Sequence, residues 1–352
     1  MSEILKIEKT EKEFIGINYG IKVFEEFNDA LILRWSDLYN KGANYNLSHE
    51  WCRLWFKYFG EKQKLHIITF WEDRDLKLLA PFQISRGRLS LIGTKPDLYD
   101  EFNILYQDSR YIDKLLEYID QNKLEINFKH INSETEIAKH LIKRFYTKAV
   151  RQISHVTETK PYISGSFSTK NTIESDIKRC RKNAIKQYKE DFAFEYSVED
   201  KQGFIDEFIS FHTYRWNGGM FVKKANLINF FKDVLLNTNS AILSRLYFPV
   251  NNKTAAFGFG YLDSNNKYWY SMTAYNHDYK KVSPGKVMLF DMITESFNRG
   301  VKHFDFGRGS EAYKNWFSNS ESILFNIATY KHRVMVVKIR TLVEKILKKI
   351  YG

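Results

Sequence analysis

The chain is poor in the residues that staple, break or anchor a fold. Among its 352 residues there are only two cysteines, Cys52 and Cys180, and five prolines. Two isolated thiols exclude a disulfide scaffold and a cysteine zinc site, and they suit a reducing compartment. No run approaches the ~18 uncharged apolar residues of a membrane span, and the opening MSEILKIEKTEKEF has no apolar signal region. The expectation is a cytoplasmic protein, neither secreted nor membrane-spanning. G-x-S-x-G, H-E-x-x-H and G-x-x-x-x-G-K-[ST] are all missing, which argues against a serine hydrolase, a zinc enzyme and a P-loop enzyme. No metal is expected.

What is present belongs to a folded chain. Apolar residues make up 43% and aromatics 16%, too much for disorder, and the length suits two domains or one large one. A formal charge of +12 favours anionic partners, which include nucleic acid, anionic lipid and phosphate-rich small molecules. Charge alone does not choose among them.

In order, the periodicity predicts a strand at 21–27, a helix at 30–41, and a second helix from Leu47 that Ser48 caps and whose Trp51, Leu54, Trp55 and Tyr58 share one face. Strands at 65–71 and 76–84 come next. The acidic loop Asp97-Leu98-Tyr99-Asp100-Glu101 precedes a strand at 102–106, a helix at 111–120, a strand at 124–131 and a helix at 134–146. After a connection at 147–165, Thr172 opens a basic helix with an apolar stripe of Ile173, Ile177, Cys180, Ala184 and Tyr188. Its charged face reads most simply as solvated. A strand at 192–197, a helix at 202–216 and a helix at 226–236 lead to three consecutive strands at 241–248, 254–262 and 267–274. The segment 333–351 alternates Ile339, Leu342, Val343, Ile346 and Leu347 with lysines and arginines, as a basic amphipathic helix does. Such a face serves either as an interfacial anchor on anionic lipid or, as we expect, as packing against protein.

Everything upstream leads into Tyr268–Trp316. An aromatic strand is followed by a turn holding Ser283, Pro284 and Gly285, a helix with Val287, Met288, Ile293 and Phe297, a glycine stop at Gly300 and a strand at 301–306. Strand, tight turn and helix N-terminus form a geometry that can cradle a pyrophosphate, because the first helical N–H groups lack intrahelical partners and the dipole is positive there. Lys280, Lys281 and Lys286 add charge. The plainer reading is that Pro284 and Gly285 only shape a turn.

The ordered set Tyr279, Lys281, Ser283-Pro284-Gly285, Phe304-Asp305-Phe306, Arg308-Gly309 and Tyr313-Lys314 resembles the C-terminal signature of the CelD-like branch of the GNAT acyltransferases, a branch associated with polysaccharide biosynthesis. Upstream, Pro161-Tyr162-Ile163, Lys178, Arg179, Arg181, Lys182, Asn183, and Phe211-His212-x-x-Arg215-Trp216 keep the same order, as do Leu47-Ser48-His49-Glu50-Trp51 and Leu91-Ile92-Gly93 with Asp97, Asp100 and Glu101. The resemblance implies an α/β (α+β) fold of tandem GNAT-like lobes, each a mostly antiparallel mixed sheet flanked by helices. A degenerate lobe would occupy 1–155, an acyltransferase lobe 156–332 and the basic helix 333–352.

In such proteins an acceptor amine or hydroxyl attacks an acyl-CoA thioester directly. The strand at 267–274 would lie along the pantetheine arm and Lys281, Val282, Ser283, Pro284, Gly285 and Lys286 would hold the pyrophosphate, although Pro284 removes one donor. Asp305 and Glu311 are candidate bases, as is His212, and Tyr313 could protonate the leaving thiolate. Arg308, Lys314, Arg215 and Trp216 are candidates for holding the acceptor. Each has a plainer role: Asp305 as a turn cap, His212 as a core hydrogen-bonding group, Tyr313 as core.

The expected donor is acetyl-CoA or another acyl-CoA, and the expected acceptor a small-molecule or lipid-linked sugar; peripheral contact at the inner face of the membrane through the last helix stays open as the lesser reading of that segment. Two alternatives stay open: a Fem-type aminoacyltransferase using aminoacyl-tRNA, and a non-catalytic protein at the membrane surface.

Overall fold

The computed structural model describes residues 19–41, 43–147, 153–168, 171–215 and 224–329. Its contacts divide the chain into two compact units, one of residues 1–159 with 322–352 and the other of Lys160–Glu321. Among the described residues no helix is long and apolar enough to cross a membrane. The basic segment 333–352 lies outside the described residues.

The first unit contains β1 (Tyr19–Phe24), α1 (Asp29–Tyr39), α2 (His49–Phe59), β2 (Lys64–Glu72), β3 (Asp75–Ser85), β4 (Arg88–Leu91), β5 (Leu105–Tyr106), α3 (Arg110–Gln121), β6 (Glu125–Asn132) and α4 (Glu136–Thr147). Ser48 caps α2 as expected, its Oγ accepting the Trp51 N–H at 3.2 Å. Behind that cap Trp51, Leu54 and Trp55 are buried. β1 to β4 form an antiparallel meander, and β4 pairs with β6 in parallel at Arg88↔Glu125 and Leu89↔Ile126. β13 (Ser320–Ala328) closes this sheet antiparallel to β6, with Leu324 opposite Asn132. Beyond Leu89 the space between β4 and β6 is filled by the chain itself. Phe102 bridges Ile131, donates its N–H to the His130 carbonyl at 2.9 Å, and packs its ring against Phe128 at 4.6 Å and Phe82 at 6.2 Å. The strand expected at 102–106 is therefore reduced to Leu105–Tyr106, because Phe102 is used as a plug.

The second unit repeats the pairing order. It contains the end of β7 (Ile153–Ser164), α5 (Asn171–Tyr188), β8 (Ala193–Tyr196), α6 (Lys201–Arg215), α7 (Ala225–Asn237), β9 (Ala241–Phe248), β10 (Lys253–Leu262), β11 (Lys267–Tyr275), a 3₁₀ turn (His277–Val282), α8 (Pro284–Asn298), β12 (His303–Asp305) and α9 (Lys314–Phe317). β8 to β11 are antiparallel, β12 is parallel to β11, and β7 is antiparallel to β12. Both units thus have a mixed, mostly antiparallel sheet flanked by helices, the expected α/β class.

The core of the second unit explains why its helices sit where they do. α8 buries Val287, Met288, Met292 and Ile293 against Ala255, Ala256, Tyr268 and Phe304 of the sheet, and α5 adds Ile177, Cys180 and Ala184. On α6, Phe204 and Phe208 stand one turn apart and pack on Phe257 and Phe259 of β10, at 4.6 and 5.2 Å. Gly258 and Gly260 make room: a Cβ at Gly260 would stand 2.5 Å from the Trp269 carbonyl oxygen. This crowding falls where the β10–β11 register shifts, between Phe259 and Gly260, which leaves Ser271 as an extra residue on β11.

Candidate active site

β11 and β12 start together and part. Their pairing covers Lys267↔His303, Tyr268↔Phe304 and Trp269↔Asp305 and goes no further, while β11 continues to Tyr275. Asp305 fixes the parting point. Its Oδ1 accepts the Gly307 N–H at 2.9 Å, and Gly307 (φ +70) and Gly309 (φ +109) then turn the chain away in conformations that favour glycine. The edge of β11 from Ser271 onward is left facing a cleft of about 680 Å³. The bulge at Ser271 and the start of α8 bound the same cleft.

Ser271, Met272, Thr273 and Tyr275 of β11 line one wall. Ser283, Pro284, Gly285, Lys286 and Leu289 from the start of α8 line another, with Lys280 from the 3₁₀ turn. His212 comes from α6, and Glu311, Tyr313, Trp316 and Phe317 from the segment after the parting point. His212 is buried, 8% exposed, with its ring 6.0 Å from that of Phe208.

The helix start is built differently from the expected main-chain cradle. Ser283 is left-handed (φ 52, ψ 52) although it is not glycine, a conformation that costs of order 1 kcal/mol and marks a constrained turn. Its N–H goes to the Lys280 carbonyl at 3.2 Å, and its carbonyl takes the N–H groups of Lys286 and Val287 at 3.1 and 3.4 Å. Pro284 has no N–H. Gly285 therefore carries the first-turn amide best placed for a ligand, and anion binding at this end falls chiefly to side chains. Lys280 Nζ lies 3.2 Å from His277 Nε2. Lys286 pairs with Asp176 of α5 and sits over the Trp316 ring, 4.4 Å from its centroid. Lys281 is exposed and Val282 lies in the core, and neither side chain lines the cleft.

Asp305 is not in the cleft and does not fit a base. It is wholly buried, with Lys160 Nζ at 2.6 Å and Lys267 Nζ at 2.8 Å from the same oxygen. Burial alone would raise its carboxyl, but the two ammonium groups outweigh burial and hold it far below the usual carboxylate range. Lys160 and Lys267 also stand over the Trp269 ring, at 4.8 and 3.5 Å. The turn-capping reading of Asp305 is the one its geometry satisfies.

Lys314 is corrected in the same way. It is 3% exposed and donates to the carbonyls of Gly307 and Arg308 at 3.3 and 2.6 Å, so it ties down the loop rather than an acceptor. Arg308 supplies that carbonyl, and its side chain is not among those lining the cleft. Arg215 ends α6, with its side chain outside what is described, and Trp216 lies outside the described residues.

Glu311, Tyr313 and His212 are brought together. Glu311 is paired with Lys314 at 2.9 Å. Partial burial would raise the Glu311 carboxyl, but the Lys314 hydrogen bond and charge outweigh it and keep it below the usual range, hence ionised at neutral pH. Tyr313 packs partly on the core and also faces the cleft, so its two sequence readings are compatible. Sequence reasoning gave no role to Tyr275, Trp316 or Asp176. The aromatic run of β11 and the spacing of Trp316 three residues after Tyr313 were the available signals, and neither distinguishes a cleft wall from core.

Residues 172–315 match the family model described as an acetyltransferase (GNAT) domain, a span running from α5 through β12 into α9 and containing the cleft. The chain carries a GNAT-type acetyltransferase domain. Beyond this domain the similarity is one of fold. A conserved protein of unknown function from Bacteroides thetaiotaomicron aligns with a TM-score of 0.58 at 11% identity, over 88% of this chain and 100% of that one. FemX aligns with a TM-score of 0.57 at 10% identity, over 86% and 96%. The C-terminal domain of a protein described as a lysylphosphatidylglycerol synthetase, from Agrobacterium fabrum, aligns with a TM-score of 0.56 at 9% identity, over 85% and 92%. No curated protein sequence matches. The acetyltransferase domain holds no cluster of metal-ligating side chains among its described residues, and every cleft wall named above lies within it or, for Trp316 and Phe317, immediately after it.

Proposed function

We propose that this acyltransferase uses an acyl-CoA, with acetyl-CoA as the donor, and passes the acyl group directly to an amine or hydroxyl of a sugar acceptor in cell-surface polysaccharide synthesis. The observation that carries the donor half is the parting of β11 from β12 beside the start of α8. An open strand edge offers alternating main-chain donors and acceptors to an amide-bearing arm, and the cations at its end suit phosphates. The sugar acceptor rests on the family resemblance of the sequence.

The chemistry assigns each residue a limited task. A main-chain N–H on the open edge of β11 polarises the thioester carbonyl and stabilises the oxyanion of the tetrahedral intermediate. Glu311 and His212 are the groups in the cleft able to take the acceptor's proton as its nucleophile bonds to the carbonyl carbon. The C–S bond then breaks, and the thiolate takes the Tyr313 hydroxyl proton. Lys280, the Gly285 amide and Lys286 hold the phosphates.

Calorimetric titration with acetyl-CoA, CoA and a longer acyl-CoA tests this, repeated on Gly285→Asp. A Cβ at Gly285 would stand 3.3 Å from Tyr275 Cδ1, so the new carboxylate is crowded into the cleft where phosphate is expected. Saturable binding that weakens at least about tenfold in the variant supports the reading. Unchanged affinity in the variant removes this turn from the site. Absence of binding to all three, with salt-sensitive binding of aminoacyl-tRNA instead, transfers the site to the Fem-type alternative.

A further inference from the structure

Past the phosphate end of the cleft the surface changes character. Tyr214, two residues beyond His212 on α6, is 72% exposed, a large aromatic ring left facing solvent. Its ring meets the His277 ring edge-on at 5.7 Å. His277 in turn contacts Lys280, whose side chain lines the cleft. The backbone links the same places: β11 ends at Tyr275, its ring packs at the Gly285 turn, and the 3₁₀ turn begins at His277. Lys280 and Lys281, both exposed, outnumber Asp278 on that turn. The end of the β11 edge at Tyr275 thus adjoins Lys280 and the edge-on pair of Tyr214 and His277.

We propose that Tyr214, His277 and Lys280 form the nucleotide end of the donor site, with the purine ring of CoA stacked on Tyr214 against His277 and its ribose phosphate held by Lys280 and Lys281. This rests on the acyl-CoA reading above and adds a nucleobase subsite to it. An exposed aromatic face beside cations is how proteins hold a base without reading its edges, since every base has a stacking face. The consequence is a donor preference: CoA binds more tightly than its 4′-phosphopantetheine portion, and the difference lies in Tyr214.

The test is isothermal titration of the full chain and of Tyr214→Ala with CoA, 3′-dephospho-CoA and 4′-phosphopantetheine. Tyr214 is exposed, so the variant keeps its fold, which circular dichroism verifies. The expected result is a loss of about tenfold in CoA affinity in Tyr214→Ala, no change for 4′-phosphopantetheine, and near-complete recovery in Tyr214→Phe. Dephospho-CoA binds the parent chain more weakly than CoA, with the difference removed by Lys281→Ala. Unchanged CoA affinity in Tyr214→Ala overturns the subsite and leaves the acyl-CoA reading standing. An equal loss for 4′-phosphopantetheine overturns it too, because the ring then shapes the cleft instead of holding a base. If the parent chain binds neither CoA nor 4′-phosphopantetheine, both fall together.

Discussion

Replacing Asp305 by asparagine distinguishes a structural carboxylate from a catalytic one. Asp305 is 0% exposed and Lys160 1%, with Lys267 partly covered at 19%, so three charges share a site from which water is largely excluded. Asparagine has nearly the same shape but no charge, and leaves two ammonium groups facing each other without a counterion. Removing one partner of a buried pair costs about 3–5 kcal/mol, because the remaining charge stays desolvated. We expect Asp305→Asn to lose stability in that range. Lys160→Met should cost less, since Lys267 still neutralises Asp305, and adding Lys160→Met to Asp305→Asn should restore part of the loss.

The assay is urea unfolding monitored by circular dichroism, at neutral pH and again in acid. Because the folded carboxyl is held below its ordinary value of 3.8, its contribution is present above that value and disappears as pH falls below it towards the folded value. The parent chain should therefore lose stability more steeply than Asp305→Asn as pH drops from 5 to 3. An asparagine variant with an unchanged urea transition and abolished acyl transfer would refute this reasoning and return Asp305 to the role of base.

Two further outcomes are expected. In Gly309→Ala the residue is strained at φ +109 and its Cβ would stand 2.5 Å from Glu311 Oε2, displacing the carboxylate that faces the cleft; kcat should fall, by up to about 100-fold, while CoA affinity from calorimetry is preserved, and unchanged kcat would remove Glu311 from the reaction. Asp291 of α8 has the opposite pH sign from Asp305: burial raises its carboxyl to about 6 against the opposing Arg181 charge, so its contribution is present below 3.8 and is lost as pH rises through about 6. Thermal melts of Asp291→Asn at pH 4, 5, 6 and 7 should consequently show that decline removed, and a profile parallel to the parent's would contradict it.

The fold was legible where periodicity and capping agree. The basic helix from Thr172 is α5, with Ile177, Cys180 and Ala184 buried as its stripe requires, and the strands at 241–248, 254–262 and 267–274 are β9, β10 and β11 within a residue or so. The strand–turn–helix of the cleft was likewise readable from Ser283-Pro284-Gly285. The features that could not be read depend on contacts across the chain. Nothing in Phe304-Asp305-Phe306 says that Lys160, distant in sequence, closes on the carboxylate, and a lysine near a candidate site reads as an acceptor-binding group until its partners are known. Lys314 shows the same: its 3% exposure comes from carbonyls presented by a glycine-bent loop, a property of backbone conformation rather than residue type. The αL conformation of Ser283, which directs its N–H and carbonyl inward and reduces the main-chain cradle, belongs to the same class.

The two units use one pairing order for opposite ends. In each, an antiparallel meander meets a strand in parallel for only two or three residue pairs, and the neighbouring loop decides whether an opening remains. In the second unit Asp305 and the glycines at 307 and 309 carry the chain away, leaving β11 an open edge beside Lys280 and Lys286. In the first, Phe102 bridges Ile131 and its ring joins Phe82 and Phe128, so the equivalent space is filled by apolar side chains. The loop that delivers Phe102 also carries Asp97, Asp100 and Glu101, with Glu101 4% exposed and accepting from Asn132 at 2.9 Å. Asp97 of that loop is held by His130 Nε2 at 2.9 Å and Lys129 Nζ at 3.4 Å, so the loop is tied to β6 rather than turned away from it. Under the acyl-CoA reading proposed above, packing confines the donor to the second unit, and truncating Phe102 would create a cavity lined by Phe82 and Phe128 rather than a phosphate site.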